Sequence, residues 1–190
     1  MWKNKLLHNI WYMYVCFTLY TQTMVESNLS CNILMIEDNP ADVRLMIEAI
    51  READLSDMAT SRYAYDGDEA LAILDSAYSL GETFHMILLD LNMPKVSGKE
   101  LLAKIKGDER FADIPLFILT NSDYKNDMID CYNLNANAYI QKPTDFKRLI
   151  DFFIAVKRSL ETNHRLSVFQ IERCYDEMKM AAMSKMKLLY

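Results

Sequence analysis

A chain of 190 residues, half of them apolar and a quarter charged, can build one ordinary domain with appendages but not two full domains. The formal charge of -6 argues against a nucleic-acid surface, because phosphate binding needs clustered Lys and Arg. Cys16, Cys31, Cys131 and Cys174 lie far apart with no CxxC or Cys/His cluster, so neither zinc nor a redox pair is suggested and the thiols read as reduced, cytosolic filler.

Residues 1–30 stand apart as an N-terminal extension. After Lys3 and Lys5, the run Leu6 to Val25 carries no formal charge and is long enough for a membrane helix. His8, Asn9, Thr18, Thr21, Gln22 and Thr23 weaken that reading, and lysines ahead of the run would send the remainder outside the cell. Three readings stand: a misassigned start whose true first residue is Met24, a membrane-associated segment, or a partner-binding extension.

From Asn32 short apolar runs alternate with helical periods, which predicts α/β units around a parallel sheet. A first strand over Ile33–Ile36 ends in Glu37-Asp38. Asn39 caps the next helix and Pro40 opens it, with Val43, Met46, Ile47 and Ile50 on one face. A weaker strand follows near Ala59–Ala64, then a helix opened by Asp66 with Ala70, Leu71 and Leu74 inward. Phe84 to Leu89 is nearly unbroken apolar, as a central parallel strand buried on both faces requires, and it ends at Asp90. Met93, Pro94 and Gly98 form a loop before a helix marked by Leu101, Leu102 and Ile105. The fourth strand, Ile114–Leu119, terminates at Thr120. A polar helix around Asp123–Leu134 precedes a short strand, Ala138–Ile140, that Lys142-Pro143 breaks. The last helix of the domain carries Phe146, Leu149, Phe153, Val156 and Leu160. That register fails near Glu161 to Arg165. Beyond it Val168, Ile171, Tyr175, Met178, Ala182, Met186 and Leu189 make a new stripe, an amphipathic helix of roughly six turns over residues 163–190.

Functional loops of an open parallel sheet sit at the carboxyl ends of its strands, beside the topological switch point. Here those ends hold Glu37, Asp38, Asp90, Thr120 and Lys142. Three carboxylates within about 5 Å repel by roughly 3 kcal/mol per pair at an effective dielectric of 20, so a cation has to offset them. Magnesium suits such a crevice, taking one or two carboxylates together with water and phosphate oxygens. Asp90, ionised near neutral pH, can then act as a nucleophile toward a phosphoryl donor without a general base. Lys142 suits the ammonium that stabilises the transferring group, and Thr120 the hydroxyl donor.

The segments IEDNPADVRL, LLDLNMPKVSGKELL, FILTN and YIQKP together resemble the receiver domain of response regulators, over about Cys31 to Leu160. The resemblance implies a doubly wound five-stranded parallel sheet of order 2-1-3-4-5, with the receiver spanning residues 31–162 and the 163–190 helix added to it. It implies Asp90 as phosphoacceptor, and Glu37 and Asp38 as the acidic pair that holds magnesium with Asp90 and the backbone carbonyl of Asn92. It implies that Lys142 contacts the phosphoryl group and precedes a cis proline, Pro143. It also implies a switch in which Thr120 moves toward the phosphoryl group and Tyr139 turns inward behind it. Asn121 departs from the small residue usual after the threonine. The loop vocabulary looks most like stand-alone receivers that partner phytochrome-type sensor kinases.

The partners implied are a histidine kinase or phosphotransfer protein and a downstream protein target. Localisation would be cytoplasmic and the role that of a phosphoacceptor, not an enzyme. The tail is too short for a winged-helix domain and lacks a basic recognition helix, so no nucleic acid is expected to bind directly. It reads either as a dimerising or docking helix, giving a homodimer, or as a helix packed on its own domain. Two rivals share parts of the pattern. A phosphatase with an aspartyl intermediate would want DxD after its first strand, whereas Asp90-Leu91-Asn92 follows the third and lacks the second acid. An interaction module independent of phosphorylation would not need the complete acceptor set.

Overall fold

In a computed structural model, the described residues are 31–163 apart from 94–96, 123–124 and 143–144. The expectations for residues 1–30, for the helix beyond Asn163 and for a cis bond at Pro143 lie outside them. Five strands, β1 (Cys31–Ile36), β2 (Ala59–Ala64), β3 (Met86–Leu89), β4 (Leu116–Thr120) and β5 (Ala138–Gln141), alternate with five helices. The helices are α1 (Pro40–Glu52), α2 (Gly67–Ser79), α3 (Gly98–Gly107), α4 (Lys125–Asn133) and α5 (Phe146–Asn163). The sheet has the order β2-β1-β3-β4-β5, and every pairing is parallel.

The two-residue period of each strand divides the core in two. Ile33, Met35, Leu88, Phe117 and Leu119 face α1 and α5, where Val43, Met46, Phe152, Phe153 and Val156 close over them. Leu34, Ile36, Ile87, Leu89 and Ile118 point the other way, toward Leu74, Leu101, Ile105 and Cys131 on α2, α3 and α4. Helices therefore cover both faces, which is why β3 and β4 are apolar along nearly their whole length while the edge strand β2 alternates. The chain reverses its direction of travel across the sheet between β1 and β3, so their carboxyl ends open a crevice.

Several inward positions differ from the sequence expectation. Ile47 is 38% exposed, and Ala49 takes its place on the buried face of α1 because the true stripe runs through Val43, Met46, Ala49 and Ile50. Leu71 is half-buried, with Ala77 completing the inner face of α2 beside Ala70 and Leu74. Phe146 stays exposed at the start of α5, and Phe152 fills the core next to Phe153. Gly98 is the first residue of α3, capped by the Ser97 hydroxyl, instead of part of a loop.

Side chains lace the amino ends of the strands together. The Asn32 amide side chain accepts from the Thr60 hydroxyl at 2.7 Å and donates to the Thr83 carbonyl at 3.0 Å, while its backbone N–H donates to His85 Nδ1 at 3.0 Å. Across the sheet Lys106 Nζ donates to the carbonyls of Ala112 and Ile114 and to Asn137 Oδ1, which also accepts from the Leu116 N–H.

Candidate functional site

The crevice is assembled by backbone bonds that carry the strand register one residue past each strand. Glu37 N–H donates to the Ala64 carbonyl at 2.9 Å, Asp90 N–H to Ile36 at 3.0 Å, and Lys142 N–H to Thr120 at 2.7 Å. Each strand thus delivers its next side chain at the same level. Asn39 caps α1 by accepting from the Ala41 N–H at 3.0 Å, and its own N–H donates to Glu37 Oε1 at 3.2 Å. The cap and the acid are held by one turn. Asp90 Oδ1 accepts from the Asn92 N–H at 3.1 Å. Gly98 packs directly on the backbone at the end of β3: its N–H donates to the Leu91 carbonyl, and a Cβ there would stand 2.5 Å from both the Asp90 carbonyl oxygen and Leu91 Cα.

Glu37 and Asp90 are buried at 2% and 5% exposure, Asp38 half-buried, and all three offer carboxylate oxygens within 4.8 Å of one another. Lys142 reaches into this cluster from the end of β5. Its Nζ donates to Glu37 Oε2 at 2.5 Å, to Asp90 Oδ2 at 2.7 Å, and to Asp42 Oδ2 on α1 at 2.8 Å. Burial lifts the Glu37 carboxyl to about 7; the Lys142 ammonium pulls it back and the Asp90 charge adds to the rise. Burial opposes the charge on Lys142, yet its bonds to Asp42, Asp90 and Glu37 outweigh that and hold the ammonium above its ordinary range. One cation therefore faces a surplus of acid, a balance that favours either protons or a further cation.

Thr120 is fully buried and joins the cluster indirectly. Its Oγ1 accepts from Asn92 Nδ2 at 3.2 Å and from the Ser122 N–H at 3.3 Å. Tyr139 is half-buried with its hydroxyl donating to the Ser122 carbonyl at 3.0 Å. The Ser122 hydroxyl donates to Asp127 on α4, and Asp127 pairs with Lys99 of α3 at 2.8 Å. Of the residues expected from the sequence, Glu37, Asp38, Asp90, Asn92, Thr120 and Lys142 come together at this end of the sheet, and Tyr139 touches their periphery.

Sequence reasoning missed Asp42, the Asn92 side chain and Ser122. Asp42 offers only the signal of any acid in a first helical turn, and its contact with Lys142 lies 100 residues away. Beside it a small pocket of about 110 Å³ opens between α1 and α5, lined by Asp42, Leu45, Met46, Asn121 and Lys142 among others.

Comparison with known proteins points one way. The response regulator receiver domain matches residues 33–153. Response regulator Rcp1 of Synechocystis sp. is 37% identical over 127 residues, covering 65% of this chain and 84% of that protein. The phosphorylated cyanobacterial phytochrome response regulator RcpA superposes with a TM-score of 0.64 at 33% identity, covering 72% of this chain and 98% of that one. The Mn(2+)-bound form of Rcp1 gives a TM-score of 0.61 at 31% identity, with 72% and 99% covered.

Proposed function

The chain belongs to the response regulator receiver domain family of two-component signalling, and from that premise we propose that Asp90 is its phosphoacceptor. The observation that carries the reading is the Lys142 ammonium lying 2.7 Å from the Asp90 carboxylate, in a crevice where three acids converge. In the step proposed, an Asp90 oxygen attacks the phosphorus of a phosphohistidine on a histidine kinase or phosphotransfer protein. The O–P bond forms as the N–P bond breaks, and the imidazole leaves with the electron pair and takes up a proton. Lys142 donates to the phosphoryl oxygens as charge gathers on them.

The donor set fits magnesium: hard carboxylate oxygens within 4.8 Å of one another, with a side open to solvent at the half-buried Asp38. Glu37, Asp38, Asp90 and the Asn92 carbonyl would hold the ion. When bound, it supplies the positive charge that neutralises the cluster and the transferring group. The relative Rcp1 is known in an Mn(2+)-bound form, which supports a divalent cation in the family.

Thr120 would release Asn92 and Ser122 to reach the phosphoryl oxygens, and Tyr139 would leave the Ser122 carbonyl and turn inward. The surface changed by that move would be read by a downstream protein. The chain would accept a phosphoryl group and lose it at most by slow self-dephosphorylation, without turning over a substrate. A cytoplasmic site of action suits a kinase partner.

The test is labelling of the full chain by acetyl phosphate. Magnesium-dependent incorporation of one acid-stable, alkali-labile phosphoryl group is expected, lost in Asp90→Asn and on chelation of the metal. Equal labelling of Asp90→Asn overturns the assignment.

A further inference from the structure

An ammonium has three N–H donors, and at Lys142 each is committed to a different carboxylate: Glu37, Asp90 and Asp42. Two of these acids have a place in the acceptor chemistry. Asp90 receives the phosphoryl group and Glu37 lies in the cation cluster with Asp38. Asp42 belongs to neither. It stands in the first turn of α1, where an acid is expected only to favour the helix dipole, yet its side chain is turned inward to 28% exposure against Lys142.

We infer that Asp42 is a positioning residue that holds the third N–H of Lys142 in the unphosphorylated protein and must be displaced for Lys142 to serve the phosphoryl group. The inference rests on the reading of Asp90 as acceptor. A phosphoryl group on Asp90 brings new anionic oxygens that need donors, and every donor of Lys142 is already taken. The bond to Glu37 lies within the cation site and the bond to Asp90 is at the reacting residue itself. The hold of Asp42 is the one that competes with the transferring group and contributes nothing to it. Asp42→Asn keeps the shape and an acceptor oxygen for the Lys142 ammonium but removes the attraction between opposite charges, which weakens the hold. Asp42→Glu keeps the charge.

Acetyl phosphate labelling rates of the full chain, measured across a magnesium titration, separate the possibilities. Asp42→Asn is expected to label about tenfold faster at saturating magnesium, because a partly exposed charged contact is released. Its half-saturating magnesium concentration is expected to rise severalfold, because one nearby negative charge is gone. Those opposite movements are not what a loosened fold produces. Asp42→Glu returns the rate toward that of the unmodified chain, and Asp42→Ser serves as the second neutral variant should Asp42→Asn not fold. An unchanged saturating rate in the neutral variants, or Asp42→Glu matching them, overturns the inference while leaving the acceptor assignment intact. Absence of labelling in the unmodified chain, or its survival in Asp90→Asn, removes both.

Discussion

Gly98→Ala tests a close backbone approach beside Asp90. The new methyl would stand 2.5 Å from the Asp90 carbonyl oxygen and 2.5 Å from Leu91 Cα, where ordinary van der Waals contact begins at 3.4 Å. Both obstacles are backbone, so no rotamer can relieve them; α3 or the end of β3 must retreat by about 1 Å to restore contact distance. Overpacking of this kind costs about 1–3 kcal/mol, and immovable neighbours place it near the top of that range. The better helix propensity of alanine returns less than about 1 kcal/mol, since Gly98 is at the helix start. A net loss of about 2 kcal/mol lowers the melting temperature by roughly 6–10 °C in a domain of this size. If Asp90 is the acceptor as proposed, its displacement by about 1 Å is also expected to slow phosphoryl uptake by roughly 10²-fold. Thermal unfolding and acetyl phosphate labelling measure the two effects on one sample. A variant that melts and labels like the unmodified chain refutes the steric argument.

Glu37 links the site to pH. Because burial raises its carboxyl to about 7, its contribution to metal-free stability is present below the ordinary 4.5 and is lost as pH rises through 7; Glu37→Gln is expected to remove that slope from melting curves. Magnesium held at Glu37 as proposed would need the ionised acid, so its affinity, followed by calorimetry, is expected to rise from about pH 6 to about pH 8, and a pH-independent affinity would contradict the burial argument. At the opposite end of the sheet, Lys106→Met leaves the Ala112 and Ile114 carbonyls and Asn137 Oδ1 without their shared donor, costing about 2–3 kcal/mol in urea unfolding with little change in labelling.

The parallel sheet and its strand-end acids were legible because both follow from local rules. A short apolar run such as Met86–Leu89 between polar ends suits a strand covered on both faces, and topology then brings Glu37, Asp90 and Lys142 to one rim. What stayed hidden depends on distances the sequence does not carry. Ile47 attracts attention by its bulk, but rotation of α1 is set by packing on the sheet, where the small Ala49 sits instead. Phe152 and Phe153 are adjacent, so helical spacing alone admits either; α5 lies so that both are buried. Asp42 and Asn92 carry ordinary local signals of helix start and turn, and their second roles appear only when residues 100 and 28 positions away arrive beside them.

The lacing at the amino ends of the strands has a consequence for how a disturbance at the other rim can spread. Asn32 fastens β1 to β2 at Thr60 and to the approach of β3 at Thr83, and Lys106 of α3 with Asn137 ties together the approaches of β4 and β5. These bonds brace the amino ends of the strands against sliding, like ribs of a fan tied near the handle. On the proposed switch, a displacement introduced at Thr120 or Asp90 would therefore be expected at the carboxyl rim of the sheet, away from these ties.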